Sequence, residues 1–451
     1  MLKNNTLRTG FLLIYFLVLN FAISAQEIVL SKLFTDGMVL QRETEAPIWG
    51  KSTPGTQVTI IGSWNNTPVK TVADNNGKFI AYLSTPEAGF TPYTIQVNDS
   101  VIHEVLIGEV WFCSGQSNMN LPLGVNNATT YKNANVRFFR TKVTNSSTPL
   151  DTLNGIWAHG DSIDKISAVS MVGYFFARKL QISLNVPIGM IGAYQGGTAA
   201  EEWTNPTVFA GLPATIRNAY TPPTPERIPG CLYMGMINPI LPYKISGMLW
   251  YQGENNVARK ETYSAIMNAM VTGWRNDFKN PMLPFYLVQL PNYQGEWREF
   301  REIQQQIAET LPNAGFVTTV DVGDEANIHP LNKKPVGERL CDMALARVYG
   351  KVATFNSPQF RVATVEGNAM RVFFNFAEKG FKISVGDSPE LFEIAGANDV
   401  YYPAKARIEG TTVLVWADEV LAPVKVRYFW KNYAEPNLFS TDNYPVTPFR
   451  M

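Results

Sequence analysis

The sequence predicts an α/β protein in which a doubly wound parallel sheet lies between an N-terminal and a C-terminal β module. Short strand-like stretches separated by turn signals fill residues 26–106, which indicates a small sandwich. Over residues 107–350, nearly continuous apolar stretches alternate with helical periodicity, as in parallel strands covered on both faces. The β pattern returns over residues 351–451. We therefore predict three domains with these boundaries.

The middle segment contains the elements that define the sheet. Its predicted strands are 109–113, 186–193, 245–251, 284–290 and 315–321, and its predicted helices are 172–184, 260–278, 297–311 and 336–349. Residues 204–242 are rich in proline and irregular, so we expect a surface excursion near the functional site. In the last module, the predicted strands are 369–374, 412–416 and 424–428.

Residues 1–25 have the pattern of a signal peptide. Lys3 and Arg8 precede an apolar stretch over 11–23, and small residues precede Gln26. The stretch is too short for a membrane span, and no later one is long enough. We expect an exported, soluble mature chain, either periplasmic or extracellular.

Composition limits the class of partner. Lys plus Arg and Asp plus Glu both number 38, whereas nucleic-acid binding needs a basic excess. The three cysteines, Cys113, Cys231 and Cys341, have no zinc or haem spacing, and their odd number leaves at least one free thiol. A disulfide between Cys231 and Cys341 cannot be argued from sequence. A thiol enzyme using Cys113 is disfavoured because its apolar strand would bury the sulfur.

Ser117 is the candidate nucleophile. The apolar stretch from Glu109 ends in Ser114-Gly115-Gln116-Ser117-Asn118, at the carboxyl edge where sites of open α/β sheets lie. Gly115 permits a tight turn, and main-chain N–H groups after the strand can stabilise an oxyanion. Taken alone, the stretch is equally compatible with a polar residue that caps a helix.

Three histidines are available as the base. His103 lies in a β pattern, and His159 lies in a loop-like stretch without a carboxylate just before it. His329 follows the last predicted strand, so its loop opens on the same edge as Ser117. Acidic neighbours there would orient the ring. We therefore choose His329.

Two other strand ends offer donors for an oxyanion hole. Gly196 and Gly197 follow the second strand, where their N–H groups can approach a ligand oxygen. Gln252 and Asn255 follow the third strand and bring side-chain amides. Each motif has a structural alternative, close helix–strand packing for the glycines and loop capping for the amides. Their convergence with Ser117 and His329 favours a catalytic site.

These motifs together resemble the sialate O-acetylesterase family within the SGNH (GDSL-like) hydrolases. The resemblance rests on Gly115-Gln116-Ser117-Asn118-Met119, Gly196-Gly197-Thr198, Trp250-Tyr251-Gln252-Gly253-Glu254-Asn255, Ile328-His329-Pro330 with Asn332-Lys333, and the opening Phe34-Thr35-Asp36-Gly37-Met38-Val39-Leu40-Gln41. It covers nearly the whole mature chain. The resemblance implies that Ser117 is the nucleophile and His329 the base. It also implies an oxyanion hole made by the main-chain N–H groups of Ser117 and of Gly196 or Gly197, with the amide of Gln252 or Asn255.

A third catalytic residue, an acid that would orient His329, departs from the family pattern. The wider SGNH pattern has Asp three residues before the His, where this chain has Ala326, and Asn327 follows it. Asp324 is the first candidate and Asp321 the second, and a Ser–His dyad aided by a backbone carbonyl stays open. Glu254 would oppose an oxyanion, so we interpret it as a structural acceptor turned away from the reacting oxygen.

The resemblance implies a serine esterase that releases acetate from an O-acetylated mono- or oligosaccharide through an acyl-enzyme, with no metal or organic cofactor. Trp203, Trp250 and Tyr251 are candidates for stacking on sugar faces. The alternative is a non-catalytic glycan-binding protein that has kept the fold. The sequence does not indicate which sugar is bound, which hydroxyl carries the acetyl group, or the oligomeric state.

Overall fold

The computed structural model describes residues 27–351 and 354–451. The signal peptide predicted for residues 1–25 lies outside this described part of the chain. Within the described residues, no helix combines the length and the apolar composition that crossing a bilayer would require.

The first module consists of two small sheets. Strands β1, β3 and β6 form one sheet, and β4, β5 and β7 join the start of β8 in the other. The strands are β1 (Val29–Leu30), β2 (Val39–Gln41), β3 (Glu45–Lys51), β4 (Gln57–Gly62), β5 (Pro68–Val72), β6 (Lys78–Ser84), β7 (Gly89–Val97) and β8 (Ser100–Gly115). Because β8 is 16 residues long, it runs from this module into the central sheet. The predicted boundary after residue 106 therefore falls inside a strand.

The central sheet is mostly parallel, with the strand order β10-β9-β11-β8-β12-β13-β14. Its remaining strands are β9 (Val136–Thr141), β10 (Gly155–His159), β11 (Ile188–Tyr194), β12 (Gly247–Tyr251), β13 (Phe285–Val288) and β14 (Ala314–Val317). Only the edge strand β10 is antiparallel to its neighbour on this path. The predicted mixed α/β fold with a central, mostly parallel sheet is confirmed. The sequence prediction missed β9 and β10.

Helices pack on both faces of this sheet. They are α1 (Ser117–Asn120), α2 (Val125–Tyr131), α3 (Ile163–Ile166), α4 (Met171–Leu184), α5 (Ala200–Trp203), α6 (Pro206–Ala210), α7 (Ala214–Arg217), α8 (Lys260–Asp277), α9 (Arg298–Thr310) and α10 (Lys334–Arg347), with short 3₁₀ or π turns at Tyr233–Ile237, Asn238–Ile240 and Glu254–Arg259. Trp111 and Cys113 of β8 pack into one core with α4 and α10, while Val110 and Phe112 pack into the other with α8 and α9. This alternation follows from the two-residue period of a strand.

The C-terminal module is again β-structured. Its strands are β15 (Gln359–Glu366), β16 (Ala369–Asn375), β17 (Phe381–Ile383), β18 (Phe392–Ala395), β19 (Tyr401–Pro403), β20 (Lys405–Glu409), β21 (Thr412–Trp416), β22 (Lys425–Tyr428), β23 (Leu438–Ser440) and β24 (Phe449–Arg450). Arg301 of α9 is fully buried, and its guanidinium donates to the main-chain carbonyls of Lys431 and Asn432. The amide oxygen of Asn292 accepts from the Ala434 N–H at 3.1 Å. These bonds join the module to the first turn of α9 and to the loop after β13.

Candidate active site

The turn that presents Ser117 requires glycine. Gly115 has a φ of +138°, and a Cβ on it would lie 2.1 Å from the Tyr251 carbonyl oxygen. Without a side chain at 115, β8 stays close to β12, and the Gln116 N–H donates to that same carbonyl at 3.0 Å. Ser117 is therefore the first residue of α1 and is partly exposed. The capping alternative fails, because Gln116 is the N-cap and no side chain caps the helix.

The glycine turn after β11 lies against Ser117. A Cβ added to Gly196 would be 3.5 Å from the Cβ of Ser117. In the described part of the chain, the main-chain N–H groups of Ser117, Gly196 and Gly197 donate to no protein acceptor. Three unpaired donors at one strand edge are the arrangement that an oxyanion hole needs.

The carbonyl of Gly197 is held from two directions. The Asn255 Nδ2 donates to it at 2.9 Å, and the Arg227 guanidinium donates to it at 2.7 Å. Arg227 belongs to the proline-rich excursion and is also bonded to the fully buried carboxylate of Glu202. Asn255 thus lies beside the glycine turn, and one of its amide hydrogens holds that turn; its predicted part in an oxyanion hole stays a prediction.

Gln252 does not reach the site, which corrects the prediction. Its side chain is fully buried, and Nε2 donates to the Thr198 carbonyl at 3.1 Å and to Asn256 Oδ1 at 2.7 Å. Both amide hydrogens are therefore used inside the protein, and none is left for an oxyanion. Trp203, Trp250 and Tyr251 are buried as well, so they offer no face to a sugar.

His329 is the histidine on the same edge as Ser117. The fully buried Asn118, next to Ser117, donates from Nδ2 to the Ile328 carbonyl at 3.1 Å. The loop that carries His329 is thus bound directly to the turn that carries Ser117. The ring of His329 is partly exposed, and no hydrogen bond joins it to Ser117 among the described residues.

The other two histidines lie away from Ser117. His103 is in the first half of β8, within the N-terminal module. His159 pairs with Arg137 near the beginning of β9, at the amino edge of the sheet, and its Nε2 is 3.7 Å from Glu104. Neither ring can act on a group at the carboxyl edge.

Neither predicted acid contacts the His329 ring. One oxygen of Asp324 accepts the main-chain N–H groups of Ala326 at 3.0 Å and Asn327 at 2.9 Å, so this carboxylate caps its own turn. Asp321 is paired with Arg339, whose Nη1 lies 2.8 Å from Oδ1. In this structure the carboxylates of Asp324 and Asp321 thus have other partners, and the choice between Asp324, Asp321 and a Ser–His dyad stays a prediction.

The surroundings favour a neutral His329. Burial and the nearby charge of Lys333 lower the pKa of His329 below its usual value, which favours the unprotonated ring that can accept a proton. Burial lowers the pKa of Lys333 to about 7, against the opposing effect of Glu254. Burial raises the pKa of Glu254. Glu254 Oε1 accepts from Asn118 Nδ2 at 2.6 Å, which agrees with its predicted role as a structural acceptor.

The cysteines do not provide a second nucleophile. All three are buried free thiols, and burial raises the pKa of Cys113 strongly. The described residues contain no group of three or more His, Cys, Asp or Glu side chains placed to hold a metal ion.

Sequence reasoning gave no role to Asn118, Arg227 or Lys333, although Asn118 and Lys333 lie in the quoted motifs. Asn118 follows Ser117 directly, and Lys333 lies four residues after His329. Proximity to the predicted pair was the available signal for both. No local pattern reveals that Arg227 reaches the Gly197 carbonyl, because that contact depends on the path of the excursion.

Comparison with known proteins identifies the family. A family model described as "Carbohydrate esterase, sialic acid-specific acetylesterase" matches residues 107–346. The chain is 28% identical to sialate O-acetylesterase of Rattus norvegicus over 91% of this chain and 92% of the relative. The Homo sapiens enzyme of that name is also 28% identical, over 71% of each chain.

A solved structure gives the same result. A carbohydrate acetylesterase from Xanthomonas citri superposes with a TM-score of 0.86 at 31% identity, covering 94% of this chain and 99% of that chain. The match extends beyond the central sheet, since it includes nearly all of both chains. The chain therefore belongs to the family of carbohydrate esterases called sialic acid-specific acetylesterases, and it is a carboxylic ester hydrolase.

Proposed function

We propose that this enzyme releases acetate from O-acetylated carbohydrates, with Ser117 as nucleophile and His329 as base. The observation that carries this proposal is the bond from Asn118 Nδ2 to the Ile328 carbonyl, because it holds the nucleophile turn against the histidine loop. The lowered pKa of His329 supports the assignment, since a base must be unprotonated before it accepts the serine proton.

The reaction is acyl transfer to water. His329 takes the proton of the Ser117 hydroxyl as the oxygen attacks the ester carbonyl, and the unpaired N–H groups of Ser117, Gly196 and Gly197 stabilise the oxyanion. The sugar oxygen leaves with the proton from His329, and an acetyl group remains on Ser117. A water molecule, deprotonated by His329, then releases acetate and regenerates the serine.

The substrate class follows from the relatives. The mammalian relatives are named for sialate, and the Xanthomonas citri neighbour for carbohydrate in general. We infer that the substrate is an O-acetylated mono- or oligosaccharide, that the fold is of the SGNH type with β modules at both ends, and that the enzyme is exported. The non-catalytic glycan-binding alternative has no support in these relatives, which carry enzyme names.

Acetate release from a panel of O-acetylated sialic acids and O-acetylated neutral oligosaccharides tests this proposal. We expect release from at least one class, and its complete loss in Ser117→Ala. Absence of release from every member, with a folded protein that still binds the same sugars, would contradict the esterase function and favour a binding protein.

The Asp324→Asn variant tests the acid. Asn keeps the oxygen that caps the turn of residues 326 and 327, and the carboxylate does not touch the ring. We therefore expect kcat to stay within about threefold of wild type, whereas loss of a true triad acid costs about 10⁴-fold. Steady-state kinetics on p-nitrophenyl acetate measure the difference. A loss of about 10³-fold or more would return Asp324 to the triad.

A further inference from the structure

A buried amide joins the two loops that carry the proposed catalytic pair. All the side-chain hydrogen-bonding groups of Asn118 are in use: Nδ2 donates to Glu254 Oε1 at 2.6 Å and to the Ile328 carbonyl at 3.1 Å. Its Oδ1 accepts from Lys333 Nζ at 2.6 Å. Asn118 has no exposed surface and Lys333 is 1% exposed, so water does not compete for these bonds.

The charges on either side of Asn118 determine which way its amide points. An ammonium group has only hydrogens to offer, and a carboxylate has only acceptor oxygens. Rotating the amide by half a turn would place NH₂ against Lys333 and the oxygen against Glu254. With Lys333 charged, as it is below its pKa of about 7, and Glu254 ionised, both contacts would then be repulsive. Lys333 and Glu254 thus keep the NH₂ group directed at the Ile328 carbonyl.

We propose that Lys333 is a positioning residue for catalysis: by fixing the amide of Asn118, it holds the carbonyl before His329 and so places the imidazole beside Ser117. This inference rests on the proposed function, because it takes Ser117 and His329 as the reacting pair. It explains how the ring is held although neither predicted acid contacts it. The contact is made to the backbone of the loop and not to a nitrogen atom of the His329 ring.

The position of Lys333 also has an electrostatic consequence that packing alone would not produce. Its ammonium lowers the pKa of His329, and its own pKa of about 7 leaves it charged over the acidic range where His329 titrates. Glu254 lies beyond Asn118, and the loop that precedes His329 carries Asp324, which caps its own turn, and Glu325, which accepts from Gln294. Lys333 also lies 5.1 Å from the centre of the Tyr251 ring. Removing the ammonium should therefore raise the pKa of His329.

The Lys333→Met variant, with Lys334→Met as matched control, tests the proposal. Lys334 is the next residue, but its side chain is 42% exposed and pairs with Glu338 at 3.8 Å. We expect Lys333→Met to lower kcat by about 100-fold with little change in KM, as for other misplaced catalytic groups. We also expect the acidic limb of its kcat/KM profile to move to higher pH. The control should match wild type in both measurements.

A second variant covers the case in which Lys333→Met does not fold. Asn118→Asp keeps the volume and an acceptor for Lys333, but it has no hydrogens to give to the Ile328 carbonyl. We expect a similar loss of kcat, which thermal melting will separate from unfolding. Wild-type kcat in either folded variant, or an unmoved acidic limb in folded Lys333→Met, would overturn the proposal. Activity that persists in Ser117→Ala would instead overturn the proposed function.

Discussion

Replacing Ser117 by alanine is expected to lower kcat for acetate release by about 10⁴-fold or more, because it removes the hydroxyl that we propose is acylated. The hydroxyl caps no helix, and the Ser117 side chain is partly exposed. Removing its oxygen should therefore leave the free energy of unfolding almost unchanged. Turnover of p-nitrophenyl acetate, with thermal melting alongside, measures both quantities.

Ser183→Ala is the matched control for this variant. Ser183 is exposed near the end of α4, on an element that packs against the sheet far from the glycine turn. Ser183→Ala should change neither kcat nor the free energy of unfolding. If Ser117→Ala retained more than about a tenth of wild-type kcat, the nucleophile would have to be sought elsewhere.

The second large effect is expected for His329→Ala, which removes the proposed base and should lower kcat by about 10⁴-fold or more. In the wild type, kcat/KM should fall as pH decreases through the pKa of His329, because protonation removes the acceptor. Burial and Lys333 place that pKa below the usual value of about 6.5, so activity should be near its plateau at neutral pH. A pH series of kcat/KM measures the position of this limb.

His159→Ala serves as the control for the histidine. His159 lies at the amino edge, so its loss should leave the pH profile unchanged. An acidic limb that is centred above pH 7 in the wild type, or that persists in His329→Ala at full amplitude, would contradict the assignment of His329 as base.

The sequence was sufficient to predict the strands that are buried on both faces of the sheet. β11, β12 and the last part of β8 are nearly continuous apolar stretches, and their ends carry the turns that lie together at the carboxyl edge. β9 escaped prediction because Arg137 and Arg140 interrupt its apolar pattern, and β10 is a short edge strand of five residues. Strand order also depends on pairing between distant segments, which local periodicity does not specify.

Side-chain orientation accounts for the errors in the site. Gln252 and Asn255 follow the same strand and have the same chemistry, yet Gln252 points into the core and Asn255 to the glycine turn. Asp324 was chosen because it precedes His329, but its carboxylate is satisfied by the main chain of its own turn. Spacing identifies which residues share a loop. It does not specify which acceptor a side chain will find.

The central claim is that Ser117 becomes covalently acylated through the action of His329, and covalent trapping measures this most directly. The enzyme is treated with an alkyl fluorophosphonate, digested, and the modified peptide is located by mass spectrometry. We expect one adduct, on Ser117, formed with loss of esterase activity and strongly slowed in His329→Ala. An adduct on another residue, or full acetate release by an enzyme already modified at Ser117, would contradict the claim.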